Sequence, residues 1–366
     1  MSKKIVYLLG AGASANALPV VSHLKDRFKS FCDHFERYIT ETYRTETGGQ
    51  IKLVQTYNEL LVSNLQTHHT IDTYARKLYL QSLLTNDKTT YELLKKYLSA
   101  FFSYEQITID FKENCNKYID EVINAAVEKT SSKLQLINSV IQNFDYRYDS
   151  FFASVLKVNK SIEIQLPDEI SIVSWNYDYQ IEKAFINFSS RNLDEVQNML
   201  KVFGSFNRQI ISKNEIYSLI KLNGTAGFID IETGENIIDF KSDTLTKKIF
   251  EFFDQALLSK TNNFHNGVRF AWEDEKISDE AISIANTKMK EADIIVIVGY
   301  SFPYFNREVD RKIFEGLENI GPNKKIYLQA PADTIDSTAN RFKAVFSKYA
   351  LEKHIEIDQF LIPNEF

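Results

Sequence analysis

The most restrictive feature of this chain is its opening, "KKIVYLLGAGASANALP" at residues 3–19. Ile5 to Leu9 is continuously apolar rather than alternating, which reads as a strand buried on both faces inside a parallel sheet. The run passes straight into Gly10-Ala11-Gly12-Ala13-Ser14, and Pro19 follows. Only 12 glycines occur in 366 residues, so two within three positions mark a backbone with special demands. Either the turn is a tight bend between strand and helix, or its missing Cβ atoms let exposed N–H groups approach a phosphate. The third glycine of the dinucleotide fingerprint is absent, with Ala13 standing where the helix should begin, so the turn alone does not decide.

From Val20 to about Lys157 the spacing predicts helices. Val21, Leu24, Phe28 and Phe31 share one face, Ile71, Tyr74, Leu78 and Ser82 another, and 91–102 and 132–144 keep the same period. Segment 42–50, polar with Gly48-Gly49, reads as a loop. After residue 168 short apolar runs appear at 170–175, 216–222, 268–272, 293–300 and 325–329, with helical patterns at 179–188 and 279–291 between them. Strands alternating with helices predict an α/β fold, a Rossmann-like parallel sheet flanked by helices. The core is expected at 1–20 and 165–366, and a large, mainly helical insertion or cap at 21–164.

Composition removes several functions. A net charge of -6 argues against direct binding to nucleic acid, and no apolar run is long enough to cross a membrane. Cys32 and Cys115 are the only cysteines, too few for a disulfide framework or a four-cysteine zinc site. A reduced, cytoplasmic chain without a bound metal is expected. His23, His34, His68, His69, His265 and His354 all fall away from strand ends, and no phosphate-binding Gly-Lys-Ser/Thr loop occurs.

Ligands of open parallel sheets collect at the carboxyl ends of the strands. Here those ends carry, besides the opening turn, Trp175-Asn176-Tyr177-Asp178, Asn223-Gly224-Thr225, Gly299-Tyr300-Ser301 and Gln329-Ala330-Pro331. Each has a plain alternative: Asp178 as a helix N-cap, Trp175 as core, Asn223-Gly224 as an ordinary turn. Asn306 suits an N-cap, and Arg307 and Arg311 suit solvated or paired positions. The convergence of the set is what points to a site, and Asn176, an amide at a strand mouth, has no capping role to explain it.

In order, GAGAS…P (10–19), SWNYD (174–178), LNG (222–224), VGYS (298–301) and a late strand ending in Gln-Ala-Pro resemble the sirtuin fold family. The bacterial sirtuin-like branch, many of whose members are NAD-depleting effectors of anti-phage defence, is the closer likeness, and IDTYARKL (71–78), RYDSFF (147–152) and FAWE (270–273) also look like it. The resemblance implies that Gly10, Ala11, Gly12, Ala13 and Ser14 hold the NAD diphosphate, with Pro19 following. It implies that Asn176 touches the nicotinamide ribose beside Trp175, with Asp178 in the family's Asp position. Gly299, Tyr300 and Ser301 would meet the adenine ribose, Gln329 the adenine, and Asn223-Gly224 occupy the family's His-Gly position. Three departures stand out: the zinc cysteines are absent, Val20-Val21-Ser22 replaces an Asp-Phe-Arg, and Asn223 replaces a histidine. An amide hydrogen-bonds but does not take a proton as an imidazole does.

The implied activity is NAD glycohydrolysis to nicotinamide and ADP-ribose, with Asn176, Asp178 and Asn223 as catalytic candidates. The alternative is a non-catalytic sensor of NAD or an ADP-ribose-type nucleotide that controls assembly with a partner. A constantly active NAD-consuming enzyme would be toxic, so homo-oligomerisation or docking of a genomically neighbouring defence protein, such as an ATPase or nucleic-acid sensor, is expected to regulate it.

Overall fold

The computed structural model describes residues 3–19, 21–44, 48–106, 144–160, 163–204, 217–230, 245–258, 264–317, 324–348 and 350–366. Cys115 and residues 132–143 of the helix expected at 132–144 lie outside them. In chain order, β1 (Ile5–Leu9) runs through a short 3-10 turn at Ala11–Ser14 toward α1 (Val21–Thr42), α2 (Gly49–Thr67), α3 (Ile71–Thr85) and α4 (Thr89–Glu105). Then come α5 (Tyr146–Val155), β2 (Lys157–Val158), β3 (Ile164–Gln165), β4 (Ile170–Ser174), α6 (Gln180–Ser189), α7 (Leu193–Met199) and β5 (Val202–Phe203). Next are β6 (Leu219–Lys221), β7 (Gly224–Asp230), α8 (Leu245–Leu258), β8 (Phe264–Val268) and α9 (Lys276–Glu291). The chain closes with β9 (Ile294–Val298), α10 (Arg307–Phe314), β10 (Lys325–Gln329), α11 (Ile335–Lys343) and β11 (Leu351–His354).

Seven strands form one sheet in the order β11-β10-β9-β1-β4-β6-β5, and every pairing in it is parallel. The fold is therefore α/β and Rossmann-like. β1 lies at the centre, with Ile5 opposite Ile170 on one side and Ile294 on the other. All residues of β1, β4 and β9 are buried, which is why β1 and β9 are apolar without alternation, while β4 buries Ser171 and Ser174 among its aliphatic residues. After β1 the chain builds β4, β6 and β5 on one flank and then returns to lay β9, β10 and β11 on the other. The order thus reverses between β1 and β9, the switch point where such sheets bind ligands.

The chain divides into two units. One comprises 1–14, 146–225 and 267–366, and holds the sheet; the other comprises 15–145 and 226–266. These bounds differ from the expected 1–20 plus 165–366 and 21–164. Helix α5 goes with the sheet because its aromatic face packs there: Phe151 lies 4.8 Å from Tyr7 of β1, and Phe152 5.7 Å from Phe185 of α6. Residues 226–266 go with the helical unit because α8 carries Phe250 and Phe253 into its aromatic core. There Phe253 meets Phe35 at 4.4 Å and Tyr97 at 4.8 Å, with Phe28, Phe31 and Phe101 completing the cluster. The strand expected at 268–272 also differs. Residues Phe264–Val268 pair with β7 in a separate two-stranded sheet, and 269–272 leave it.

One ion pair lies inside the sheet unit. Lys221, ending β6, meets Glu182 of α6 at 3.0 Å with neither side chain exposed, and its ammonium also donates to the Asp178 carbonyl. Burial raises the Glu182 carboxyl's proton affinity and the neighbouring Lys221 charge lowers it. The pair fastens α6 and the preceding turn onto the sheet. Removing one partner strands the other charge in a dry interior, which costs about 3–5 kcal/mol. Lys221→Met is expected to lose that much in urea unfolding, and the double variant Lys221→Met/Glu182→Leu to recover most of it; equal stability of the two variants would contradict this account.

Candidate functional site

The site is built where the turn after β1 meets the turn after β9. The Gly10 N–H donates to Val298 O at 3.0 Å and the Gly12 N–H to Gly299 O at 2.9 Å, zipping the two turns together across the switch point. A Cβ on Gly10 would lie 2.6 Å from the Tyr300 Cα, and one on Gly12 2.7 Å from the Gly299 Cα. Gly299 also has φ of 63°, a left-handed conformation that side chains disfavour. Backbone-on-backbone packing therefore accounts for all three glycines. The Ala13 N–H is likewise spent, on Gly10 O at 2.8 Å. Expected phosphate donors at Gly10, Gly12 and Ala13 are thus committed within the protein, and the exposed residue of the turn is Ala11.

Asn176 joins this turn to the mouth of β4. Its Nδ2 donates to Gly10 O at 3.1 Å and to Ser14 Oγ at 3.2 Å. With that nitrogen occupied and no partner for Oδ1 among the described residues, Asn176 offers a ligand an acceptor. Ser14 is buried, its hydroxyl lying between Asn176 and the Tyr148 hydroxyl at 3.1 Å, so it braces the turn rather than facing out from it. Pro19 is half-buried and belongs to the helical unit, two residues ahead of α1.

At the β4 mouth Asp178 is buried and accepts the Gln180 N–H at 3.0 Å, a local turn that starts α6. Nearby, burial pushes the Lys183 ammonium down to about 8, while the negative charge of Asp178 pulls it back up. Trp175 is buried and stacks on Tyr300, ring centroids 5.2 Å apart, and its Nε1 has no hydrogen-bond partner among the described residues.

The other candidates are structural ties. Asn223 donates from Nδ2 to Trp175 O at 2.8 Å and accepts the Ala271 N–H at Oδ1 at 3.0 Å, so both ends of its amide hold backbone. A catalytic task for it conflicts with that geometry. Gly224 has φ of 71°, and a Cβ there would lie 2.2 Å from Gly267 O. Tyr300 points its hydroxyl at Asp310 Oδ1, 2.9 Å away, and receives Asn306 Nδ2 at 3.2 Å, so Asn306 serves this network rather than a side-chain cap. Ser301 is exposed, its carbonyl accepting from Arg341. Gln329 does not face a ligand: its Nε2 donates to Glu356 O and Gln359 O at 2.5 and 2.6 Å, and its Oε1 accepts the Leu361 N–H at 3.0 Å.

Several contributors were not singled out from sequence. Lys221 carried a signal, since a lone lysine in the apolar run SLIKL has to find a partner. Arg147 donates to Gly12 O at 2.9 Å and Ala13 O at 3.2 Å; it lies in the quoted RYDSFF segment, but nothing local marks its target.

No protein-family model matches this chain, and no curated protein does. Among solved structures it is similar to Sir2Tm bound to a propionylated peptide, at 11% identity and a TM-score of 0.37, covering 98% of this chain and 90% of that one. A structure described for the mechanism and regulation of Sir2 enzymes gives 10% and 0.36, over 98% and 88% of the two chains. One addressing sirtuin substrate affinity gives 13% and 0.33, over 95% of each. At such scores the superpositions are loose, and nothing about the site follows from them.

Two predictions come from these contacts. Gly299→Ala is expected to lose on the order of 3 kcal/mol in chemical denaturation, combining left-handed strain with a backbone clash. Gly49→Ala, with nothing within 4 Å of its Cβ position, is the control and should change stability by a few tenths. Burial raises the Asp310 carboxyl to about 8, with the Tyr300 hydroxyl and Arg307 lowering it again. The folded state thus keeps a proton that the unfolded chain gives up near pH 4, so this group erodes stability as pH rises from about 4 to 8. Asp310→Asn should be more stable than the parent at pH 8 by a few kcal/mol, at about 1.4 kcal/mol per tenfold difference in proton affinity. The gap should close toward pH 4; a gap that does not vary with pH would refute the assignment.

Proposed function

We propose that this chain is an NAD glycohydrolase, cleaving the nicotinamide–ribose bond with water to give nicotinamide and ADP-ribose. One observation carries the reading: Asn176 bridges the β4 mouth and the glycine turn at the switch point while keeping its Oδ1 for a ligand. That acceptor suits a ribose hydroxyl. NAD is the substrate here, not a resident cofactor.

The chemistry asks little of a base. Neutral nicotinamide departs with the bonding electron pair, positive charge spreads over the ribose, and a water oxygen adds at C1′ as its proton passes to solvent. Holding the ribose in a reactive pose and balancing the developing charge are the main tasks. Asn176 fixes the ribose, and the carboxylate of Asp178 supplies negative charge at the β4 mouth. Asn223 keeps the β4 and β6 mouths together. Ala11, the exposed residue of the turn, meets the diphosphate, and the exposed Ser301 lies toward the adenosine end. In a cell, such turnover would deplete NAD, the role of the effector branch that the motifs resemble, with assembly or a partner as its control.

A second reading has its own support. Both ends of the Asn223 amide are tied to backbone, so no proton-accepting side chain stands at that position. A site that binds NAD or an ADP-ribose-type nucleotide without cleaving it, and reports through assembly, would look the same.

Mass-spectrometric analysis of NAD incubations separates the two. Turnover to nicotinamide and ADP-ribose that falls at least 100-fold in Asn176→Ala supports the enzyme. Calorimetric binding of intact NAD, weakened by the same substitution, supports the sensor. Turnover unaffected by Asn176→Ala would refute the site.

A further inference from the structure

Beyond β11 the chain runs through 355–361 as an irregular strap. Ile355, Glu356, Ile357, Asp358 and Gln359 are exposed, and Phe360 is buried. The strap is held by few contacts. Gln329 grips three of its backbone groups at 2.5–3.0 Å, the Tyr7 hydroxyl donates to Leu361 O at 3.0 Å, and Phe360 seats against Tyr148 at 4.8 Å. A segment tethered by one ring and a handful of hydrogen bonds opens at far lower cost than the sheet beneath it.

The residues that receive the strap are the ones that hold the glycine turn. Arg147 donates from Nη1 to Ile357 O at 3.2 Å and lies 5.3 Å over the Phe360 ring. From Nη2 it donates to Gly12 O and Ala13 O. Tyr148 packs its ring edge-on to Phe360 and sets its hydroxyl 3.1 Å from Ser14 Oγ, which in turn accepts from Asn176. Two adjacent residues at the start of α5 thus each touch the strap on one side and the turn on the other. A buried guanidinium with both ends on carbonyls has little freedom to keep one set of bonds when the other is lost.

We propose that Arg147 and Tyr148 are positioning residues that couple the C-terminal strap to the Gly10–Ser14 turn, so that seating of the strap holds the turn and Asn176 in their ligand-ready geometry. The turn would bind a dinucleotide diphosphate when the strap is seated and loosen when it lifts. The link to NAD rests on the function proposed above; the coupling itself does not.

Hydrogen exchange of the full-length, ligand-free chain reads the coupling directly, because the Gly12 and Ala13 amides are hydrogen bonded only while the turn is formed. Phe360→Ala lifts the strap, and Gln329→Ala releases the same segment more gently should the first variant fail to fold. Either is expected to speed exchange at Gly12 and Ala13 about tenfold while leaving the β9 amides unchanged. Arg147→Met should do the same, Arg147→Lys should partly restore protection, and Phe360→Ala combined with Arg147→Met should add little to either alone. Exchange that rises in the strap but not at the turn, or rises equally through β9, overturns the proposal. Calorimetry with NAD is run alongside: a parent protein that does not bind NAD refutes the function and leaves the exchange result standing.

Discussion

Everything at the switch point depends on two turns whose backbones touch without side chains between them. Gly12 and Gly299 approach so closely that any Cβ would displace the opposite chain, and the N–H to carbonyl bond between them closes the gap. That contact sets where Gly10 O lies, which sets Asn176, which sets Ser14. It also places the Trp175–Tyr300 stack, because Tyr300 is the next residue after Gly299. The fold thus fastens its two central strands together at the end where open sheets take ligands, and what remains for chemistry is the rim of that junction.

The rim is polar but mostly spoken for. Asn223, Gln329, Ser14 and Tyr300 each spend their polar atoms on the protein itself. Buried polar groups have to be satisfied or they destabilise, so a rigid mouth built from amides and hydroxyls leaves few of them over. Among the described residues Asn176 Oδ1 keeps no partner at this mouth, and neither do the buried Trp175 Nε1 and Thr225 Oγ1.

Strands buried on both faces were the legible part of the sequence. β9 lies within the expected 293–300 because an unbroken apolar run has no other economical place, and β10 spans the expected 325–329 with Lys325 exposed and Tyr327 half-buried. β5 and β11 went unread: the first is two residues long, and the second is the polar LEKH at a sheet edge. The run at 268–272 misled because Val268 ends a strand of the separate two-stranded sheet while Phe270 and Trp272 are apolar for stacking, 4.6 Å apart. The place of Asn176 at the mouth of β4 was legible, while its bonds to Gly10 O and Ser14 Oγ were not. Arg147 was not, since one of its acceptors is a carbonyl 210 residues further on. Roles set by tertiary contact leave no periodicity behind.

The position of β1 has a consequence for how the chain reaches this structure. The strand is made first, yet it pairs with residues 170–174 and 294–298. Closing loops of that length precedes any reward from pairing, which makes sheet formation slow. Throughout synthesis of the intervening segments, this apolar strand has one or both edges open, ready to pair with another nascent chain. Yield in a cell is therefore governed by how long β1 waits for β9, and conditions that slow translation late in the chain should cost more soluble protein than those that slow it early.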